Sequence, residues 1–175
     1  MQAREGLRIP FFSIQGAPTD ITVEVPADRA WRLDIHTVNT GAVTLQTLDV
    51  AGGRIVAGIG RIDVAGVHLQ SDLTASTTRG RVRYVAAGFA DGATLLLATK
   101  AGDVDVAIPP GAYDLRAVTD IGTPRVTVDG VAVGSSPDEG DSAVLTGRTP
   151  DYESQPLKVA ITASSAIGDV TLRSG

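Results

Sequence analysis

Few side chains in this sequence could do chemistry, and none is spaced to do it. The two histidines, His36 and His68, stand in the alternating segments LDIHTV and GVHLQ. Neither has a His or Glu at a spacing that would share a metal ion or pair an acid with a base. Asp103 and Asp169 each follow a glycine in a Gly-Asp-Val step. A carboxylate there ordinarily accepts hydrogen bonds from nearby backbone amides. A continuous row of such carboxylates would instead suit a cation or a sugar, but the same step elsewhere holds Ala42, Arg61, Arg81 and Thr123. Glycine-rich calcium nonapeptides are absent. The chain has ten serines, none in a GxSxG elbow. It has no GxxxxGK[ST] loop and no GxGxxG opening a helix. With no cysteine, disulfides, thiolate ligands and thiol nucleophiles are excluded. The expectation is a protein that is not an enzyme and needs neither metal nor cofactor.

Charge narrows the partners. The net charge is −5, and lysine occurs only at Lys100 and Lys158. A phosphate-binding surface needs clustered Lys and Arg, so nucleic acid is not an expected partner. Arg79, Arg81 and Arg83 are the one basic cluster. Residues two apart in a strand share a face, so these three are expected to form an outer stripe. That stripe reads first as a solvated strand face and second as a partner contact.

The elements that carry these residues follow from glycine spacing. Gly41, Gly60, Gly80, Gly102, Gly122 and Gly168 each interrupt alternating small and apolar residues, at intervals of 19, 20, 22, 20 and 46. Segments such as LTASTTRGRVRYV (73–85) and ITASSAIGDVTLR (161–173) repeat one pattern. A period near 20 residues with strand-like alternation marks a repeat architecture. Glycine tolerates φ > 0 and can turn the chain between two strands. Thr77, Thr99, Thr119 and Ser165 all stand three before their glycines, which predicts a ladder of hydroxyls on one face. The corner VEVPADRAWRLDI has a counterpart in VAIPPGAYDLRAV about 83 residues later. No segment sustains a 3.6-residue apolar period, so the expected class is all-β, made of stacked strands with about 20 residues per unit and essentially no helix.

The expected organisation is a lead-in at 1–19, weakly alternating around Phe11, Phe12 and Ile14, followed by one β-repeat domain at 20–175. The 46-residue interval contains a stretch rich in Gly, Ser, Pro and Asp at 129–156, expected to be a loop excursion. Tyr152 within it is a candidate anchor for a partner. No apolar stretch approaches the roughly 18 residues of a membrane span, and no signal peptide is visible.

The ordered pattern (Leu/Ile)-x-Ala-x-(Thr/Ser)-x-x-Gly-(Asp/Arg)-Val, closed by PLKVAITASSAIGDVTLR, resembles the bacterial adhesin-like, toastrack-like β-solenoid domains. The turn at Ile108, Pro109, Pro110 and Gly111 matches that family. Val25, Pro26 and Ala27 match it more loosely, with Asp28 in place of the glycine. The likeness covers about residues 20–173. It implies a twisted stack of strands, no cofactor, and a non-catalytic role at the cell envelope with a protein or cell-surface ligand. Two other readings stay open. One is a cytoplasmic, self-assembling scaffold resembling bactofilins, with strand edges joining copies. The other is an enzyme acting on polysaccharide. The localisation expected is extracytoplasmic or at the cell surface for a domain cut from a longer protein, and cytoplasmic otherwise.

Overall fold

A computed structural model describes residues 25, 26, 28–135, 142–150 and 152–175. The expected lead-in at 1–19 lies outside the described residues. The described chain is all-β. It contains no α-helix, and one turn of 3-10 helix at Tyr152–Ser154.

Among the described residues fourteen strands make one sheet. In chain order they are β1 (Trp31–Thr40), β2 (Val43–Gln46), β3 (Asp49–Ile59), β4 (Ile62–Leu69), β5 (Leu73–Arg79), β6 (Val82–Phe89) and β7 (Thr94–Ala101). Then follow β8 (Val104–Ile108), β9 (Ala112–Ile121), β10 (Pro124–Thr127), β11 (Ala132–Ser135), β12 (Ala143–Arg148), β13 (Lys158–Ile167) and β14 (Val170–Ser174). Each of the six sequence glycines separates a strand from its successor, as Gly80 separates β5 from β6 and Gly168 separates β13 from β14.

The strands before the glycines form one parallel row, β1–β3–β5–β7–β13–β9. The strands after them form a second parallel row, β2–β4–β6–β8–β14–β10. The rows join where Asp49 and Val50 of β3 pair with His68 and Leu69 of β4. At the far end β10 packs beside β9 and β12, so the sheet curls back on itself and is nearly closed. Alternate residues of both rows point inward into one core that includes Ile55, Leu73, Tyr84, Leu97, Tyr113, Ile161 and Leu172. Small Val and Ala side chains dominate that core, as strands in tight parallel register require.

Spatial order departs from chain order at one place. β13 pairs with β7 on one side and β9 on the other, and β14 lies between β8 and β10. The strand pair formed by 158–174 is therefore inserted between two pairs that precede it in sequence.

The glycines make one column in that same spatial order. A Cβ on Gly60 would overlap the carbonyl oxygen of Gly41, and the overlap recurs for Gly80 on Gly60, Gly102 on Gly80, Gly168 on Gly102 and Gly122 on Gly168. The last five have φ between +138° and +156°, a region that side chains strain. The expected hydroxyl ladder is present and buried. Thr77 donates to the carbonyl of Gly60, Thr99 to Gly80, Ser165 to Gly102 and Thr119 to Gly168.

The 129–156 stretch, expected as a loop excursion, holds two strands and the 3-10 turn. β11 and β12 form an antiparallel hairpin, and β12 pairs antiparallel with β9 from Ala143↔Thr119 to Arg148↔Asp114. Val144 is buried in this strand, and the neighbouring Leu145 packs half-buried against the core.

Candidate functional site

One group of polar and aromatic side chains gathers at the end of the hairpin. Arg148, the last residue of β12, is paired in register with Asp114 of β9. Its Nη2 lies 3.2 Å from an Asp114 carboxylate oxygen and 2.8 Å from a Glu153 carboxylate oxygen. The guanidinium carbon stands 4.8 Å from the ring centre of Tyr152, within cation–π range.

Local hydrogen bonds hold this arrangement. The amide of Tyr113 donates to Thr149 Oγ1 at 2.9 Å, and the amide of Thr149 donates to the Tyr113 carbonyl at 3.0 Å. Pro150 follows, the Tyr152 amide donates to the Thr149 carbonyl to close a turn, and the Gln155 amide donates to the Tyr152 carbonyl to close the 3-10 turn. That turn carries Tyr152 back over Arg148. Partial burial, and then the Asp114 carboxylate, raise the Tyr152 phenol above its ordinary pKa. An open groove of about 340 Å³ borders the group, lined by Asp114, Ala132, Gly134, Thr146, Gly147 and Arg148.

An aromatic ring stacked on a guanidinium between two carboxylates suits contact with a polar surface. Tyr and Arg are the residues that most often anchor such contacts. The exposed ion pairs themselves add little to stability.

The other candidates do not join this group. Arg79 ends β5, whereas Arg81 and Arg83 lie beyond the Gly80 turn, so the three are split between the two rows. All three are exposed. Arg81 contacts Asp105 at 3.5 Å, and Asp105 also contacts Arg173 at 3.4 Å. Arg83 stands in register between Asp63 and Asp105, so the basic cluster belongs to a face of alternating charge. His36 is exposed on β1, in a shallow hollow with Asp34 and Arg54. His68 lies on β4 with its ring against Gly88, and β1 and β4 do not pair with each other. Asp103 accepts a hydrogen bond from the Asp169 amide at 3.0 Å, and Asp169 accepts one from the Thr123 amide at 2.8 Å. These carboxylates therefore tie successive strand pairs together through backbone amides.

Sequence reasoning singled out Tyr152 and missed Arg148, Asp114 and Glu153. The Arg-Thr-Pro-Asp-Tyr-Glu run offered a local signal for three of the four, because a proline turn returns the chain on itself. Asp114 arrives only through the β9–β12 pairing.

Fold and site together define an all-β protein with a surface cluster at one end of its sheet. No family model, no curated protein and no solved structure matches the chain. Among the described residues no helix is long and apolar enough to cross a membrane.

Proposed function

We propose that this chain is a non-catalytic interaction module of the cell envelope, built as a toastrack-like β-solenoid with an adhesin-like role. The parallel registers and the glycine column support the solenoid reading. The observation that carries the binding role is the Tyr152–Arg148 stack, held on a hairpin beside an open groove. The partner in this reading is a protein or cell-surface ligand. Arg79, Arg81 and Arg83 offer a secondary contact on the charged face.

Labelled protein added to intact cells of its source tests this. Saturable binding is expected, weakened at least about tenfold in Tyr152→Ala and Arg148→Ala, each of which truncates one anchor. Their melting temperatures are expected to stay near that of the parent. Binding that never saturates, or that ignores both substitutions, would sink the proposal.

A second reading, a cytoplasmic self-assembling scaffold resembling bactofilins, draws on one observation. Among the described residues β1 pairs only with β3 and β2 only with β4, and unpaired strand edges invite assembly. Filaments or a concentration-dependent sedimentation coefficient would favour it. A monomer at every dilution would remove it.

A further inference from the structure

We propose that the ridge along the glycine column docks a second copy of this chain, laid antiparallel across it. The residues before the glycines form one stripe, in spatial order Thr40, Ile59, Arg79, Ala101, Ile167 and Ile121. The residues after them form a second stripe, Arg61, Arg81, Asp103, Asp169 and Thr123. Its order is fixed by backbone bonds, in which the amide of Ile62 donates to the Arg81 carbonyl, Val82 to Asp103, Val104 to Asp169 and Val170 to Thr123.

The first stripe carries apolar surface. Ile59, Ile121 and Ile167 are 45%, 66% and 55% exposed, and Ile121 lies in register with Ile167. The second stripe is sorted by charge. Arg61 neighbours Arg81, and Asp103 neighbours Asp169, so like charges stand one strand step apart, an arrangement that disfavours the isolated chain. All four are exposed. Arg61 contacts Asp63 at 3.0 Å and Arg81 contacts Asp105 at 3.5 Å, yet the two arginine side chains stay 67% and 57% exposed. Asp103 and Asp169 each use one carboxylate oxygen on a backbone amide.

A two-fold axis across the middle of the column reverses its direction and sets each stripe against its own copy. Gly80 then faces Gly102 of the second copy, and Gly60 faces Gly168. Arg81 meets Asp103, Arg61 meets Asp169 and Ile59 meets Ile167, each contact occurring twice. Charge and apolar surface are matched by the same operation, which is the argument for a second copy as the occupant. The contact closes on itself, so assembly stops at two copies. A ridge of five strand steps, about 24 Å long, suits a weak dimer.

Sedimentation of the full chain over rising concentration is expected to show a monomer–dimer equilibrium that weakens as salt rises. Arg61→Glu with Arg81→Glu is expected to lower the association constant at least about tenfold. The absence of native cysteine allows the orientation to be read as well. In Ile59→Cys alone, or Ile167→Cys alone, the two thiols of a dimer stand three strand steps apart, about 14 Å, beyond disulfide reach. An equal mixture of the two variants brings unlike positions together, and mild oxidation is expected to link the mixture but neither variant by itself. A monomer at every concentration would overturn the proposal, as would species larger than two copies. A dimer indifferent to the arginine substitutions would overturn it too. So would a mixture whose thiols stay free, or either variant linking alone as fully as the mixture.

Discussion

The hydroxyl of Ser165 donates to the carbonyl oxygen of Gly102 at 2.8 Å, across 63 positions of chain. The bond repeats what Thr99 does to Gly80 and what Thr119 does to Gly168. It shows in one contact that the pair β13–β14 sits on β7–β8. Ser165→Ala leaves a part-buried carbonyl without its donor, so a loss of about 1 kcal/mol is expected. Urea unfolding followed by circular dichroism measures it, and an unchanged midpoint would show the hydroxyl to be idle.

The glycine column allows a sharper contrast. In Gly102→Ala the new methyl overlaps the Gly80 carbonyl, and the backbone already sits at φ +138°. A loss above about 3 kcal/mol is expected, because strain and overlap act together. Gly134 has open space where a Cβ would go and no left-handed φ, so Gly134→Ala is expected to stay within about 0.5 kcal/mol of the parent. Equal effects at the two sites would refute the column.

Two core tyrosines are expected to respond in opposite ways to removal of the hydroxyl. Tyr84 is fully buried and its hydroxyl has no partner among the described residues. Tyr84→Phe should raise stability by about 1 kcal/mol, since an unpaired buried polar group is lost. Tyr113 bonds the Pro109 carbonyl, so Tyr113→Phe should cost about 1 kcal/mol. Parallel thermal melts of the two variants decide the matter.

Alkaline pH should destabilise the fold through the same residues. Burial pushes the Tyr113 phenol from 10.0 up to about 12, and burial raises Tyr84 as well. The unfolded chain releases these protons near pH 10, while the folded chain still holds them. Stability from this source is therefore complete below pH 10 and is lost as pH rises through 12. Absorbance titration of phenolate should show delayed ionisation in the native protein. Tyrosines that all titrate near 10 while the fold persists would contradict the burial.

The hairpin should matter to stability as well as to binding. A plain loop at 129–156 could be shortened at little cost. β12, however, pairs with six residues of β9 and buries Val144. Deleting 134–154 is expected to lower the melting temperature by several degrees, and a melting temperature unchanged by the deletion would show β12 to be a passenger.

The sequence revealed whatever its local periodicity encodes. The six glycines, the alternation around them and the hydroxyls three positions earlier were legible because each depends on a short run of residues. The stacking order was not. β13 fits β7 and β9 equally by pattern, and in the fold it takes both as neighbours, with Ile161 in register with Leu95 and Leu115. The hairpin was hidden for a related reason. Its strands are short, lie in a stretch rich in Gly, Ser, Pro and Asp, and gain their meaning from β9. Tyr152 stood out as a rare aromatic in a polar stretch, whereas Asp114 looked like any outward residue of a strand.

The inserted position of β13–β14 has a consequence for how the protein is made. A ribosome delivers β7, β8, β9 and β10 before the strands that must lie between them exist. Until residues 158–174 emerge, β7 and β9 each expose an edge shaped for the same absent neighbour, and each can take the other in its place. The nascent chain therefore has a premature pairing to avoid or undo, and completion of this half of the fold waits for synthesis to pass residue 174. Loss of that late segment by stalling or frameshift would remove a middle layer and leave β7 and β9 with only the premature pairing to close the gap.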